Sequence, residues 1–302
     1  MVLFSVIIPN RNYPELLSRA LESVPVRDDL EVIIVDDDSD PAIMDFGNYP
    51  GSDRKNTKVI LGKGGGGAGM ARNVGLDAAS GRWLLFLDSD DFFTPALSSV
   101  LDSHIDDTSD IIYFDITSVY SDTLLPSDRH NARSSMFARY ARNPEKIGFY
   151  CRYLYTEPWG KMIRRDMLVR EGIRFEETIC ANDYMFSVMC GLRAGKVKFD
   201  PSVMYCVTER KGSLSNSYFD REDKLDARLG VYWRVQQVFS QNGIRLYPFY
   251  GLWMMCKNKG GSYYDAARRF CRIHGISRLD LRTGSLKRII RKRLGIGVPY
   301  CK

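Results

Sequence analysis

The sequence predicts an α/β fold with a mostly parallel central sheet flanked by helices, followed by a helical C-terminal extension. Three observations predict it. The first hundred residues alternate short β-branched runs with helical patterns, and those runs are continuously apolar, as burial on both faces requires. From about Arg221 onward every pattern is helical. A chain of 302 residues can hold one large domain and a smaller appendage, so the expected division is residues 1–220 for the α/β domain and 221–302 for the helical region.

Val2 to Ile8 is the first strand, which Pro9 is expected to stop. Leu16, Leu17, Ala20, Leu21 and Val24 then recur at helical spacing until Pro25. Glu31 to Val35 and Lys58 to Leu61 read as the second and third strands. A glycine cluster leads into a helix from about Met70 to Ala79, with Gly81 as its stop, and Trp83 to Leu87 is the fourth strand. Thr94 is placed to cap a helix that Pro95 opens, and Asp110 to Ile116 reads as a strand. Ser121 to Pro144, rich in Ser, Arg and Asn, reads as a long excursion. Helices are expected at Glu145 to Tyr155 and Ala181 to Ala194, and short strands at Val197 to Phe199 and Val203 to Val207.

The composition, 44% hydrophobic and 26% charged, is that of an ordinary globular protein. Its net charge of +6 is unevenly distributed. Lys257 to Lys302 holds 13 basic residues against 2 acidic ones, and the remainder 30 against 35. An acidic body with a basic tail argues against nucleic acid as the partner. In the tail, Leu286, Ile289, Ile290 and Leu294 share one helical face and Lys287, Arg288, Arg291, Lys292 and Arg293 the other. That pattern suits an anionic membrane surface, or equally an apolar stripe packed on the body. Tyr247 to Met255 is apolar nearly all round, either core or a shallow insertion. Seven widely spaced cysteines read as reduced thiols, no secretory signal opens the sequence, and no apolar run reaches the ~18 residues of a membrane span. The expected location is cytoplasmic, with a peripheral position on the inner face of the membrane as the tail's contribution. Three scattered histidines argue against a His-based metal site or relay.

Two acidic clusters follow apolar strands directly: Asp36, Asp37 and Asp38 after the second, and Asp88, Asp90 and Asp91 after the fourth. Ligands of open α/β sheets bind at the carboxyl ends of strands. Crowded carboxylates there call for a cation, and Mg²⁺ or Mn²⁺ bridging protein carboxylates to substrate phosphates is the economical explanation. Acids that merely cap the next helix are the bland alternative. Between the clusters, Gly64, Gly66 and Gly69 satisfy G-x-G-x-x-G, so an NAD or FAD oxidoreductase is a rival. Against it, the pattern opens a later unit than the first βα turn, and three acids stand where one ribose needs one.

SVIIPNRN at Ser5 to Asn12, VDDDS at Val35 to Ser39, ARNVGLDAASGRWLLFLDSDDFF at Ala71 to Phe93, and the later WGK and NDYMF segments together resemble the family 2 glycosyltransferases, which adopt the GT-A fold, a Rossmann-like α/β architecture. The resemblance covers roughly residues 3 to 216. Its specificity lies in the order: DDxS, then ARN-x-G, then DxDD after an apolar strand, then an acid about 90 residues later.

The resemblance implies inverting transfer of a sugar from a nucleoside diphosphate donor, usually a UDP-sugar, to a saccharide or lipid-linked saccharide in cell-surface polysaccharide synthesis. Nucleotide contacts then fall to Pro9, Asn10, Arg11, Asn12, Asp37, Gly69, Arg72, Asn73, Asp88 and Ser89. Asp90, Asp91 or both would hold the metal, Mn²⁺ or Mg²⁺. Asp183 takes the position of the catalytic base, with Asn182 before it where the family usually has Glu. Trp159, Lys161, Asn182, Arg210 and Ser213 would line the donor or acceptor pocket, and a buried core role for Trp159 stays open. Two other readings compete: a sugar-phosphate nucleotidyltransferase, which would carry its glycine-rich signature after the first strand, and a non-catalytic polyanion or membrane binder.

Overall fold

In the computed structural model, residues 1–62, 65–140, 142–210, 222–277 and 281 are described. The chain divides into two compact units, one formed by Met1–Thr178 with Phe186–Lys211 and the other by Ile179–Met185 with Gly212–Lys302.

The first unit is built on strands β1 (Phe4–Asn10), β2 (Leu30–Asp36), β3 (Thr57–Leu61), β4 (Trp83–Phe86), β5 (Phe92–Phe93), β6 (Ile111–Tyr120), β7 (Lys161–Arg164) and β8 (Val197–Glu209). Their order in the sheet is β3-β2-β1-β4-β7-β6-β8-β5. β1 pairs parallel with both β2 and β4, β2 with β3, and β6 with β8. β7 and β5 pair antiparallel with their neighbours. The chain moves outward from β1 to β3 and then returns to place β4 on the other side of β1, so the strand order reverses between β1 and β4. At such a switch point the carboxyl ends of the strands border a crevice.

Helices α1 (Pro14–Glu22), α2 (Gly67–Ala78), α3 (Leu97–Ser103), α4 (Asn131–Tyr140), α5 (Pro144–Leu154) and α6 (Arg165–Glu171) belong to this unit, as does most of α7 (Asn182–Arg193). Every residue of β1 and β4 is buried, so their apolar runs feed one continuous core. Gly75 lets α2 lie directly on β1, because a Cβ there would stand 2.4 Å from Ile7 Cγ2.

The structure departs from the expected elements in several places. α3 begins at Leu97 with Ala96 at its N-cap and no side-chain cap, so Thr94 and Pro95 lie outside it, and β5 forms where no strand is expected. β1 runs through Pro9 to Asn10: β4 pairs with β1 only as far as Ile7, so beyond that point β2 is the one strand beside it. The excursion of residues 121–144 contains α4, which buries Phe137 against the ring of Phe199 at 4.4 Å. The two short strands after α7 are one, β8, whose bulge lets Asp115 face Val203 after Phe114 faces Asp200, absorbing Pro201 and Ser202. β7 and α6 were not marked by the sequence pattern, since WGKMIRR lacks both a long apolar run and a cap.

The second unit packs α8 (Glu222–Gln241), α9 (Pro248–Lys259) and α10 (Gly261–Ile273) around Leu225, Leu229, Phe249, Leu252, Cys256 and Phe270. Within the apolar run Tyr247 to Met255, Phe249, Tyr250 and Leu252 are buried, whereas Met255 is exposed. Ile179–Met185 joins this unit through Cys180, whose Sγ donates to the Lys224 carbonyl at 3.2 Å, and through the Tyr184 ring, edge-on to Tyr232 at 4.9 Å. The basic tail from Leu286 to Leu294 lies outside the described residues, as does Ser213. Among the described residues no helix is long and apolar enough to cross a membrane, and the described cysteines are free thiols.

Candidate active site

The carboxyl ends of β1, β2 and β4 deliver Asn10, Asp37 and Asp88 to one edge of the sheet. At the β2 end, neighbouring aspartates have separate tasks. Asp36 is 1% exposed and spent inside: Oδ1 accepts from Ser39 N at 2.8 Å, and Oδ2 from Ser39 Oγ at 2.6 Å and Tyr49 Oη at 2.8 Å. Tyr49 in turn accepts from Asn10 Nδ2 at 2.9 Å, which leaves Asn10 Oδ1 a buried acceptor with no donor among the described residues. Asn12 takes the left-handed backbone at φ 62°, donates its amide to Ser39 Oγ at 2.9 Å and accepts from Asp40 N at 2.7 Å, so the turn after β1 is fastened to the turn after β2. Asn tolerates that conformation better than most side chains.

Asp37 is the acid that faces the glycine loop. Its two oxygens share the Gly67 amide at 3.1 and 3.0 Å, and Arg11 Nη1 lies 3.9 Å away. Burial raises the Asp37 carboxyl above its ordinary range, against the opposing pull of the Gly67 amide and Arg11. Gly67 holds φ 84°, which an L side chain rarely adopts, and this backbone aims its amide at Asp37. A carboxylate thus occupies the N-terminus of α2, where a dinucleotide pyrophosphate would sit in the oxidoreductase reading. Gly69 is buried within the first turn of the helix.

At the β4 end, Arg72 donates from Nη2 to Asp88 Oδ1 at 2.6 Å, with its guanidinium over the Phe175 ring at 5.4 Å. Asp88 keeps 28% of its side chain exposed and Asp90 32%, so both open to solvent, whereas Ser89 is buried. Asp91 is 4% exposed, accepting from Thr208 N at 2.6 Å through Oδ1 and from Tyr205 Oη at 2.8 Å through Oδ2. Burial, then the charges of Asp90 and Asp88, push the Asp91 carboxyl well above the usual range, only partly offset by those two donors. Burial and Asp88 likewise raise Asp90, with Arg210 opposing. The Asp90 carbonyl is pinned from two sides, by Arg19 Nη2 at 2.7 Å and Thr208 Oγ1 at 2.7 Å. The chemistry of this turn fits a divalent cation. Two solvent-facing carboxylates, one of them disfavoured as an anion by its surroundings, lack a full ligand set of their own, which leaves coordination positions for substrate phosphates. Among the described residues no group of three or more His, Cys, Asp or Glu side chains could hold a metal by itself.

Several expected site residues lie in the interior. Trp159 is 8% exposed and stacks on Tyr205 at 5.1 Å, behind the acidic turn. Lys161 is buried, donating to the Tyr155 carbonyl at 2.7 Å and Ser187 Oγ at 3.2 Å, with its ammonium over the Tyr155 ring at 4.7 Å. Asn73 reads the backbone of Phe175 from both ends of its amide, Nδ2 to the carbonyl at 3.0 Å and Oδ1 from the amide at 2.9 Å. All three hold up the walls of the site from inside. Arg210, just past β8, sets its guanidinium 3.7 Å from Asp90 Oδ2 and 4.2 Å from the Tyr13 ring centroid.

Asn182 and Asp183 form the first turn of α7 and group with the second unit. Ala181, immediately before them, takes φ 53°, an uncommon conformation for Ala that costs of order 1–3 kcal/mol. Four residues that shape the site carry no local mark in the sequence: Tyr49, Arg19, Tyr205 and Thr208. Each acts on a partner far along the chain, Tyr205 on Asp91 across 114 positions.

The model of glycosyl transferase family 2 matches residues 5–168. The poly(ribitol-phosphate) β-N-acetylglucosaminyltransferase TarS of Staphylococcus aureus is 30% identical over 233 residues, which cover 74% of this chain and 39% of that protein. The chain therefore spans about two fifths of the length of this curated relative. Among solved structures, S. aureus TarS 1–349 in complex with UDP-GlcNAc superposes with a TM-score of 0.60 at 22% identity, covering 97% of this chain and 92% of that one. The mannosyltransferase PcManGT of Pyrobaculum calidifontis, in complex with GDP-Man and Mn²⁺, gives a TM-score of 0.55 at 15% identity, covering 97% of this chain and 86% of that one. Both likenesses are of fold.

Proposed function

The chain belongs to glycosyl transferase family 2, and from that premise we propose that it moves a sugar from a UDP-linked donor to a saccharide or lipid-linked saccharide acceptor of the cell surface, with inversion at the anomeric carbon. The observation that carries this reading is the division of labour among the carboxylates. Asp36 and Asp91 are consumed by internal hydrogen bonds, while Asp88 and Asp90 stay open at the switch point of the sheet.

In this reading Asp37 and the Asn10 acceptor receive the base and Pro9 to Asn12 the ribose side. Asp88, oriented by Arg72, accepts from a ribose hydroxyl. Asp90 would hold the divalent cation; Asp91, consumed by Thr208 and Tyr205, shapes the turn. The UDP-GlcNAc and Mn²⁺ named for the two fold relatives support a UDP donor and a divalent metal respectively. A cation bound there supplies Lewis-acid neutralisation of the negative charge that develops on the departing diphosphate. Asp183 is the base. Its carboxylate takes the proton of the acceptor hydroxyl as that oxygen bonds to the anomeric carbon, and the electron pair of the old C–O bond leaves on the β-phosphate oxygen. The strained Ala181 immediately before α7 supports a functional role for that turn. Residues 1–220 would carry donor chemistry and 221–302 a helical region whose basic tail meets an anionic membrane surface from the cytoplasmic side.

The test uses acceptor-stimulated UDP release from a panel of UDP-sugars, beside UDP titration. Asp183→Asn is expected to lower turnover by about 10²–10⁴-fold, the usual worth of a general base, with UDP affinity kept within twofold. Retained turnover overturns the assignment of the base.

A further inference from the structure

Each acid of the turn after β4 has a resident partner, and the partners are unequal. Asp88 is held by Arg72 in a charged hydrogen bond of 2.6 Å, and Asp91 by two short bonds from β8. Among the described residues Asp90 is paired with Arg210 at 3.7 Å, beyond hydrogen-bond reach, and Arg129 adds a weaker favourable charge. The guanidinium is otherwise weakly committed: it lies over the Tyr13 ring, and its Nε is buried with no partner among the described residues. Backbone on both sides of the pair is fixed. Arg19 and Thr208 hold the Asp90 carbonyl, and Thr208, two residues before Arg210, is itself held by Asp91. The contact can therefore change by rotation of the long Arg210 side chain while the turn stays in place.

We propose that Arg210 is the exchangeable counter-ion of Asp90: it neutralises the carboxylate while no divalent cation is present, yields it to the cation, and turns its guanidinium to the donor diphosphate. This rests on the reading of Asp90 given above. A cation on the same carboxylate repels a guanidinium a few ångströms away, and a diphosphate offers that guanidinium a bidentate partner that Asp90 does not. The two events are linked. Metal frees the arginine for the nucleotide, and nucleotide, by capturing the arginine, raises the affinity for metal.

The consequence has opposite signs for two ligands, which a merely structural role does not produce. Mn²⁺ binding to the full chain is measured by electron paramagnetic resonance without nucleotide, and UDP binding by calorimetry in saturating Mn²⁺. Arg210→Gln is expected to bind Mn²⁺ alone roughly threefold to tenfold more tightly, because the nearest competing charge is gone, and UDP with Mn²⁺ roughly tenfold more weakly. Arg210→Lys keeps the charge and is expected to stay within twofold of wild type for Mn²⁺ alone, which separates competition from local distortion. Unchanged or weaker Mn²⁺ affinity in Arg210→Gln, in a protein whose wild type takes up UDP with Mn²⁺, overturns the exchange and leaves the donor reading standing. A wild-type chain that binds no UDP with Mn²⁺ overturns both.

Discussion

Replacing Asp91 by alanine separates an acid that builds the site from one that works in it. The substitution leaves the Thr208 amide and the Tyr205 hydroxyl facing a gap in a region where Asp91 is 4% exposed. Each orphaned buried donor costs about 1–3 kcal/mol, so the pair costs about 2–6 kcal/mol. Part of this is returned, because a carboxyl disfavoured by burial and by Asp90 and Asp88 is removed with it. A net loss of about 2–4 kcal/mol corresponds to a fall in Tm of roughly 6–12 °C for a unit of this size. Asp91→Asn keeps one acceptor oxygen and should lose about half as much. Thermal unfolding followed by circular dichroism gives the stability, and Mn²⁺ titration of the folded variant at low temperature gives the metal affinity. The account expects a large drop in Tm with Mn²⁺ affinity within about threefold of wild type. An unchanged Tm with abolished Mn²⁺ binding would falsify it and make Asp91 a ligand.

Two further outcomes follow from charged groups elsewhere in the first unit. Lys161→Met strands the Tyr155 carbonyl, takes the ammonium donor from the Ser187 hydroxyl, which still donates to the Glu157 carbonyl, and should cost about 1–3 kcal/mol in urea unfolding, with UDP affinity unchanged; lost UDP affinity at full stability would instead put the ammonium against substrate. Acid sensitivity should come from the base of β8, where Lys198 lies 2.9 Å from Asp107 and His104 2.9 Å from Asp200. Burial works against ionisation of both acids, but Lys198 and Ser109 outweigh it at Asp107, and Ser202 and His104 at Asp200, so both sit below their ordinary range. A carboxyl depressed in the folded state contributes stability above its unfolded value, near pH 4, and that contribution is lost as the pH falls through the folded value. Lys198→Met should therefore flatten the decline of the unfolding midpoint below about pH 4; an unaltered slope would mean the pair contributes nothing.

The parallel half of the sheet was legible because burial on both faces leaves continuous apolar runs at Val2 to Ile8, Glu31 to Val35 and Trp83 to Leu87, each close to an observed strand. Elements set by distant contacts were not legible. α4 forms in a polar stretch because Phe137 finds Phe199, and β7 exists because β4 and β6 flank it. The same distinction holds in the site. That acids gather after β2 and β4 could be read from the chain, but which of them remain open could not. Asp36 and Asp37 are adjacent and chemically identical, and only Tyr49 and Ser39 on one side and Gly67 on the other separate their roles. Trp159 and Lys161 resemble pocket residues in sequence; the rings of Tyr205 and Tyr155, which draw them inward, are distant or unremarkable in the local pattern.

The role proposed for Asp90, at the open side of the turn after β4, is to hold a divalent cation that recruits a nucleoside diphosphate. It is tested most directly by calorimetric titration of UDP into the wild-type and Asp90→Asn chains, each with and without Mn²⁺. The account predicts that Mn²⁺ tightens UDP binding to the wild type by at least about tenfold and leaves the variant unaffected. Equal tightening by Mn²⁺ in both chains would contradict it.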